Sequence, residues 1–205
     1  MRGYFVTGTD TGVGKTVLSA ALAIRLQAGY WKPVQTGSES DSWQVKQLAS
    51  CPIFDDGIRL PDPLSPHLAA RNANTRITVL ELLALATTLD AQSPWIIEGA
   101  GGALVPLNET QLLVDWMKVL RLPVIIASRS TLGTINHTLL TLEALRSRSI
   151  EIAGVVMIGP PNADNRQAIE HFGNVPVLAE MPLFDALTPE IVRTWALANF
   201  QDLQP

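Results

Sequence analysis

Lys15, Thr16, Lys32 and Glu98 have the residue types and spacings to handle a phosphate-bearing substrate. Lys15 and Thr16 close the run Gly8-Thr9-Asp10-Thr11-Gly12-Val13-Gly14-Lys15-Thr16, with Val17 beyond it. Glycines in such a run let backbone N–H groups turn inward around an anion, the lysine reaches terminal phosphates, and the threonine hydroxyl suits Mg²⁺. An apolar strand before the run and a helix after it supply the required context, and the helix N-terminus adds partial positive charge. The strict pattern has glycine six residues before the lysine. Here Thr9 holds that place and Gly8 stands one step earlier, so the loop is a variant. The reading is a nucleoside triphosphate site.

Lys32, in Tyr30-Trp31-Lys32-Pro33-Val34-Gln35-Thr36-Gly37, falls near the end of the second expected strand. Open parallel sheets place ligands at that edge, where a lysine can neutralise charge on a transferring phosphoryl group. The plainer alternative is a lysine whose stem lies along the strand end with its head in water. Glu98 follows the buried run Ile96-Ile97 and precedes Gly99-Ala100-Gly101-Gly102. A buried carboxylate needs a metal or a cationic partner, so Mg²⁺ binding and a structural ion pair both stay open for it. Position alone favours a cap for Asp41 over a second metal carboxylate. His67 and His137 have no nearby cysteine or histidine to share a metal, and Trp43, Trp95, Trp116 and Trp195 are most simply packing residues.

These groups need elements to hold them. Short apolar runs over 4–6, 30–34, 95–97, 123–127, 152–158 and 175–178 read as buried strands. Helical patterns over 15–27, 78–90, 111–120, 134–147, 165–172 and 188–199 lie between them, with Gly29 expected to close the first. Strand alternating with helix implies right-handed crossovers and a mainly parallel sheet covered on both faces. The fold class is therefore α/β, a three-layer P-loop NTPase-like architecture with the sheet between helices, in one domain over 1–205. Pro52, Pro61, Pro63 and Pro66 mark 50–77 as a long loop without a long helix or a strand.

Composition narrows the class further. Of 205 residues, 47% are hydrophobic and 17% charged, enough for a sizeable core and too apolar for disorder. The net charge of -4, with scattered arginines and lysines, argues against a nucleic-acid partner. The lone Cys51 excludes an internal disulfide and a multi-cysteine zinc site, and fits a reducing compartment. The N-terminus is too briefly apolar for a signal peptide, and no later run approaches a membrane span. The expectation is a cytoplasmic protein without a membrane partner.

Taken together, Gly8 to Thr16, Lys32-Pro33-Val34-Gln35-Thr36-Gly37, Pro63-Leu64-Ser65-Pro66-His67, Glu98 to Gly102 and Leu132-Gly133-Thr134-Ile135-Asn136-His137 resemble the dethiobiotin synthetases in order and spacing. The loop alone would also admit partition ATPases and cobyrinate synthetases of the amidotransferase type. The resemblance implies Mg²⁺-dependent and ATP-dependent carboxylation and ring closure of 7,8-diaminopelargonate in biotin synthesis. It makes Lys15, Lys32 and Thr11 catalytic, Thr16, Asp41 and Glu98 metal ligands, and Thr36 a substrate contact. Gly12, Val13, Gly14, Lys15, Thr16, Val17, Asp41, Glu98, Gly99, Ala100 and Gly101 would line the nucleotide and its phosphates. It also implies a homodimer, with residues 132–136 (Leu132, Gly133, Thr134, Ile135 and Asn136) donating N–H groups to the substrate carboxylate of the neighbouring subunit.

Three departures stand out, one of them the short stretch between Gly37 and Asp41. The connection from the first helix into Tyr30 is several residues shorter than in familiar members. Ile158 stands where the family often has a base-reading asparagine, so recognition of the base falls to main chain near Gly159 or to Pro182-Leu183-Phe184. The alternative from another class, a nucleotide-dependent switch of the partition-ATPase kind, would carry an extra early loop lysine. Asp10 stands there instead, and the expected last helix has only Arg193 as a basic residue.

Overall fold

The computed structural model describes residues 1–55 and 57–204. β1 (Arg2–Gly8) runs into the phosphate-type loop and α1 (Lys15–Leu26), followed by β2 (Gly29–Trp31), β3 (Val34–Thr36) and α2 (Asp41–Ala49). Then come β4 (Ile53–Phe54), β5 (Ile58–Leu60), α3 (Pro66–Asn72) and α4 (Val79–Ala86). β6 (Pro94–Gly102), α5 (Leu113–Leu120), β7 (Val124–Arg129) and α6 (Thr134–Arg146) follow. β8 (Ile152–Ile158), α7 (Ala163–Gly173), β9 (Val177–Met181) and α8 (Pro189–Asn199) complete the order. Seven strands form one sheet in the order β4-β2-β6-β1-β7-β8-β9, and its paired strands run parallel.

Strand alternation sorts the core into two layers. Tyr4, Val6, Tyr30, Ile96, Ile125 and Val156 face α1, α2 and α8, where Leu18, Leu22, Val45 and Val192 meet them. Phe5, Trp31, Ile97, Ile126 and Met157 face the opposite layer, with Ala69, Leu82, Trp116, Leu142 and Ile169 from α3 to α7. Both faces are covered, so the strands are apolar throughout, as parallel sheets require. β1 lies between β6 and β7, and the chain builds outward from it in both directions. That reversal opens a crevice at the carboxyl ends of the central strands, where the loop after β1, Lys32 and Glu98 all fall.

Several local expectations change. The strand expected over 30–34 is divided: β2 joins the large sheet, whereas β3 pairs with β5 in a separate two-stranded sheet. Pro33 sits at the break and has no N–H to continue the ladder. The stretch 50–77 is not all loop. It holds β4, β5 and α3, and its prolines lie where the chain tolerates them, with Pro66 opening α3. An unforeseen helix, α2, begins at the Ser40 cap, whose hydroxyl accepts from Trp43 N at 3.2 Å. Gln27 rather than Gly29 closes α1, in the left-handed conformation with φ 51°. Gly29 is needed instead for close approach, because a Cβ there would lie 2.5 Å from the Trp95 ring.

Candidate active site

Four elements bring the polar groups together. The loop and start of α1 supply Lys15 and Thr16, the end of β2 supplies Lys32, the first residue of α2 is Asp41, and β6 carries Glu98. Lys32 Nζ lies 2.7 Å from Asp41 Oδ2 and 2.8 Å from Glu98 Oε1. It also donates to Gly99 O at 3.0 Å. Thr16 Oγ1 lies 3.2 Å from Asp41 Oδ1 and 3.3 Å from Glu98 Oε1. The side chains of Lys32 and Glu98 are 6% and 1% exposed, against 21% for Asp41. The cluster therefore has a dry inner wall and one face open to solvent.

Burial works against the charge on Lys32, but Glu98 and Asp41 outweigh it and hold the ammonium above its ordinary pKa. Lys15 shifts the other way. Burial lowers its pKa, and Lys32 adds repulsion that Glu98, Asp41 and Asp10 only partly offset. Its Nζ donates to Asp10 O at 3.2 Å, so the head folds back over its own loop. The hydroxyl of Tyr30, deep in the apolar layer, donates to Glu98 Oε2 at 3.0 Å. Burial and the nearby Glu98 carboxylate raise the phenol well above its ordinary range, so it stays protonated.

The remaining expected residues divide by place. Gly12 and Gly14 take left-handed φ of 69° and 95° in the loop, and Val13 is buried beneath it. Val17 packs against the layer that holds α1. Thr11 sits at the loop tip, its N–H bound to Asp10 Oδ1 at 2.7 Å, across from Gly101. Ala100 lies beside them on β6. Thr36 is carried away from the large sheet on β3. Gln35 nevertheless ties it to the cluster, accepting from Asp41 N at 3.2 Å and donating to Thr36 O at 3.3 Å.

Ile158 is buried against Gly14, and Gly159 follows it with φ 134°. Pro182 and Leu183 are exposed, while Phe184 packs edge-on against Trp195. Residues 132–136 form the entry to α6. Gly133 adopts φ 91°, Thr134 is buried with its hydroxyl on Arg129 O, Ile135 is half-buried, and Asn136 and the fully exposed Leu132 face outward.

Sequence reasoning missed three contributors. Tyr30 and Lys32 are two residues apart along an expected strand, a spacing that puts both on one face. Gln35 lay inside a motif already singled out. Arg129 donates to Thr11 O at 3.2 Å and pairs with Asp10 Oδ2 at 3.4 Å across the loop mouth. No sequence signal foretold that pairing, because the two residues meet only when β7 is laid beside β1.

The geometry suits a hard divalent cation. Thr16 Oγ1, one Asp41 oxygen and Glu98 Oε1 converge as an all-oxygen set, the donor chemistry Mg²⁺ takes. The Lys32 ammonium lies between the same two carboxylates, which shows that this pocket draws positive charge.

Comparison with known proteins adds the family. An AAA domain family model matches residues 2–191. The ATP-dependent dethiobiotin synthetase BioD of Paramagnetospirillum magneticum is 53% identical over 92% of this chain and 91% of its own length. The chain belongs to the dethiobiotin synthetase family. The biotin biosynthesis bifunctional protein BioCD of Bordetella avium is 49% identical over 95% of the chain, which spans 42% of that longer protein. A ParA family ATPase from Chlorobium tepidum TLS superposes with a TM-score of 0.60, covering 96% of this chain and 98% of its own. At 12% identity that likeness speaks for the fold only. No helix among the described residues is long and apolar enough to cross a membrane.

Proposed function

We propose that this chain is an ATP-dependent dethiobiotin synthetase, closing a cyclic urea on 7,8-diaminopelargonate with CO₂ and ATP. The observation that carries the reading is the convergence of Lys32, Thr16, Asp41 and Glu98 at the carboxyl edge of the sheet, beside a phosphate-type loop. No side chain there is an activated nucleophile. The arrangement suits a reaction in which the substrate brings its own nucleophiles and the protein positions and neutralises them.

In this reading one substrate amine adds to CO₂ and loses a proton, giving a carbamate. A carbamate oxygen attacks the γ-phosphorus and ADP leaves, so a carbamic-phosphoric anhydride forms. The second amine then attacks the carbonyl carbon and gives up a proton, and phosphate departs as the ring closes. Lys15 and the loop N–H groups of residues 12–16 hold the β- and γ-phosphates. Lys32, freed from one carboxylate, steadies the carbamate against the γ-phosphate, while Thr11 borders the reacting groups. Thr16, Asp41 and Glu98 would hold Mg²⁺, which supplies charge neutralisation on the phosphates when bound. Gly99, Ala100 and Gly101 leave room for the phosphates beside β6, and Thr36 contacts the diamine.

For the base, the buried Ile158 gives an apolar wall next to Gly14, so selection rests on main chain near Gly159 or on Pro182, Leu183 and Phe184. We further propose a homodimer in which residues 132–136 receive the substrate carboxylate of the partner subunit. The full exposure of Leu132 next to a helix N-terminus supports that reading. A cytoplasmic location belongs to the same reading, and Cys51 is half-buried and free.

The test is turnover of purified protein with diaminopelargonate, bicarbonate, Mg²⁺ and ATP, following dethiobiotin by mass. Formation that requires both the diamine and ATP supports the reading. ATP hydrolysis without dethiobiotin at high diamine would refute it and favour a nucleotide switch.

A further inference from the structure

Glu98 does not offer its two oxygens equally. Oε1 faces Lys32 Nζ at 2.8 Å and Thr16 Oγ1 at 3.3 Å, on the open side of the cluster. Oε2 points the other way and accepts from Tyr30 Oη at 3.0 Å. Tyr30 is wholly buried on β2, opposite Ile96 of the neighbouring β6, in the layer built from α1, α2 and α8. A phenol sunk in that layer needs a partner for its O–H, and the back oxygen of Glu98 provides it.

A carboxylate with both oxygens free can turn about its last side-chain bond, exchanging which oxygen faces a ligand. One strong donor on the back oxygen, inside a dry wall, fixes that rotation. Groups that hold a ligating side chain in this way tune metal affinity without touching the metal. We propose that Tyr30 is a positioning residue whose hydroxyl locks Glu98 with Oε1 presented to a divalent cation. The proposal rests on the reading of Glu98 as a metal ligand.

Tyr30→Phe removes the hydroxyl and keeps the ring. The experiment is calorimetric titration of the full chain with ADP across a Mg²⁺ series and again in EDTA, with thermal unfolding of the same samples. Glu98→Gln and the double variant complete a cycle. The Mg²⁺ concentration at half-effect is expected to rise about tenfold in Tyr30→Phe, with metal-free ADP affinity unchanged. In the Glu98→Gln background, adding Tyr30→Phe should shift the Mg²⁺ dependence no further. Thermal unfolding of the same samples separates a weakened fold from a changed Mg²⁺ dependence, so the test stays usable if the single change lowers stability.

A Tyr30→Phe protein that melts earlier but keeps its Mg²⁺ dependence, while Glu98→Gln shifts it, would overturn the tyrosine's role alone. Equal weakening of ADP binding with and without Mg²⁺ would do the same. An unshifted Mg²⁺ dependence in Glu98→Gln itself would overturn this proposal together with the metal reading.

Discussion

Replacing Lys32 by methionine removes one charge from a buried arrangement of one ammonium and two carboxylates while leaving most of the side-chain volume. Among the described residues Glu98 then keeps Thr16 and Tyr30 as donors, and Asp41 faces it across Thr16 without the ammonium that pairs with both. Breaking a buried ion pair by removing one partner costs about 3–5 kcal/mol. Because Asp41 is 21% exposed and water screens part of its charge, the low end, about 3 kcal/mol, is expected. For a chain of this length that is a fall in Tm of about 6–12 °C.

Mg²⁺ should reverse much of this loss. If Asp41 and Glu98 hold the ion as proposed, it competes with Lys32 for a carboxylate in the parent and meets no such competitor in the variant. At a hundredfold excess over its Kd, a ligand that binds only the folded state stabilises it by about 2.7 kcal/mol. Thermal unfolding by circular dichroism, with EDTA and with saturating Mg²⁺, reads both effects. The gap in Tm should be wide in EDTA and should narrow in Mg²⁺, while turnover stays about 10²–10³-fold below the parent because the charge on the reacting oxygens is no longer met. A variant as stable as the parent in EDTA, or a gap that Mg²⁺ leaves unchanged, would refute the account of Lys32 as the cation that balances this pocket.

Gly29→Ala should lower stability by about 1–3 kcal/mol in urea unfolding, because its Cβ would drive the buried Trp95 ring off its seat beside β2. Leu132→Asp, at a fully exposed position, should leave the monomer's fold within about 0.5 kcal/mol of the parent. If the dimer reading holds, it should shift sedimentation equilibrium towards monomer, and an unshifted equilibrium would count against that interface.

The large sheet was legible because its strands are apolar on both faces and each is followed by a helical period. The loop, Lys32 and Glu98 were legible because glycine, lysine and carboxylate stand directly at strand ends. Asp41 was ambiguous for a physical reason: it is the first residue of a helix, and an acidic residue there reads as a terminus signal. Only the fold shows that α1 and α2 bring it to Thr16. The short β3–β5 sheet was hidden because each strand has three residues and gains its pairing from a partner 24 positions away, Val34 with Ile58. Prolines in 50–77 argue against a long helix or a strand, yet Pro66 starts a short helix and Pro52 offers its carbonyl to Tyr30 N at 2.9 Å. What stays silent in any linear reading is the choice of partners among scattered polar groups, such as Arg129 with Asp10.

The break at Pro33 separates the ruler that sets one part of the site from the ruler that sets another. Lys32 and Glu98 take their positions from the pairing of β2 with β6, whereas Thr36 takes its position from the pairing of β3 with β5. Residues added or lost between β3 and β5 would therefore move Thr36 without re-registering the buried charges. A change of length there would reshape the wall around Thr36 while Lys32 and Glu98 keep their spacing, and Lys32, at the seam, is the hinge pin between the two.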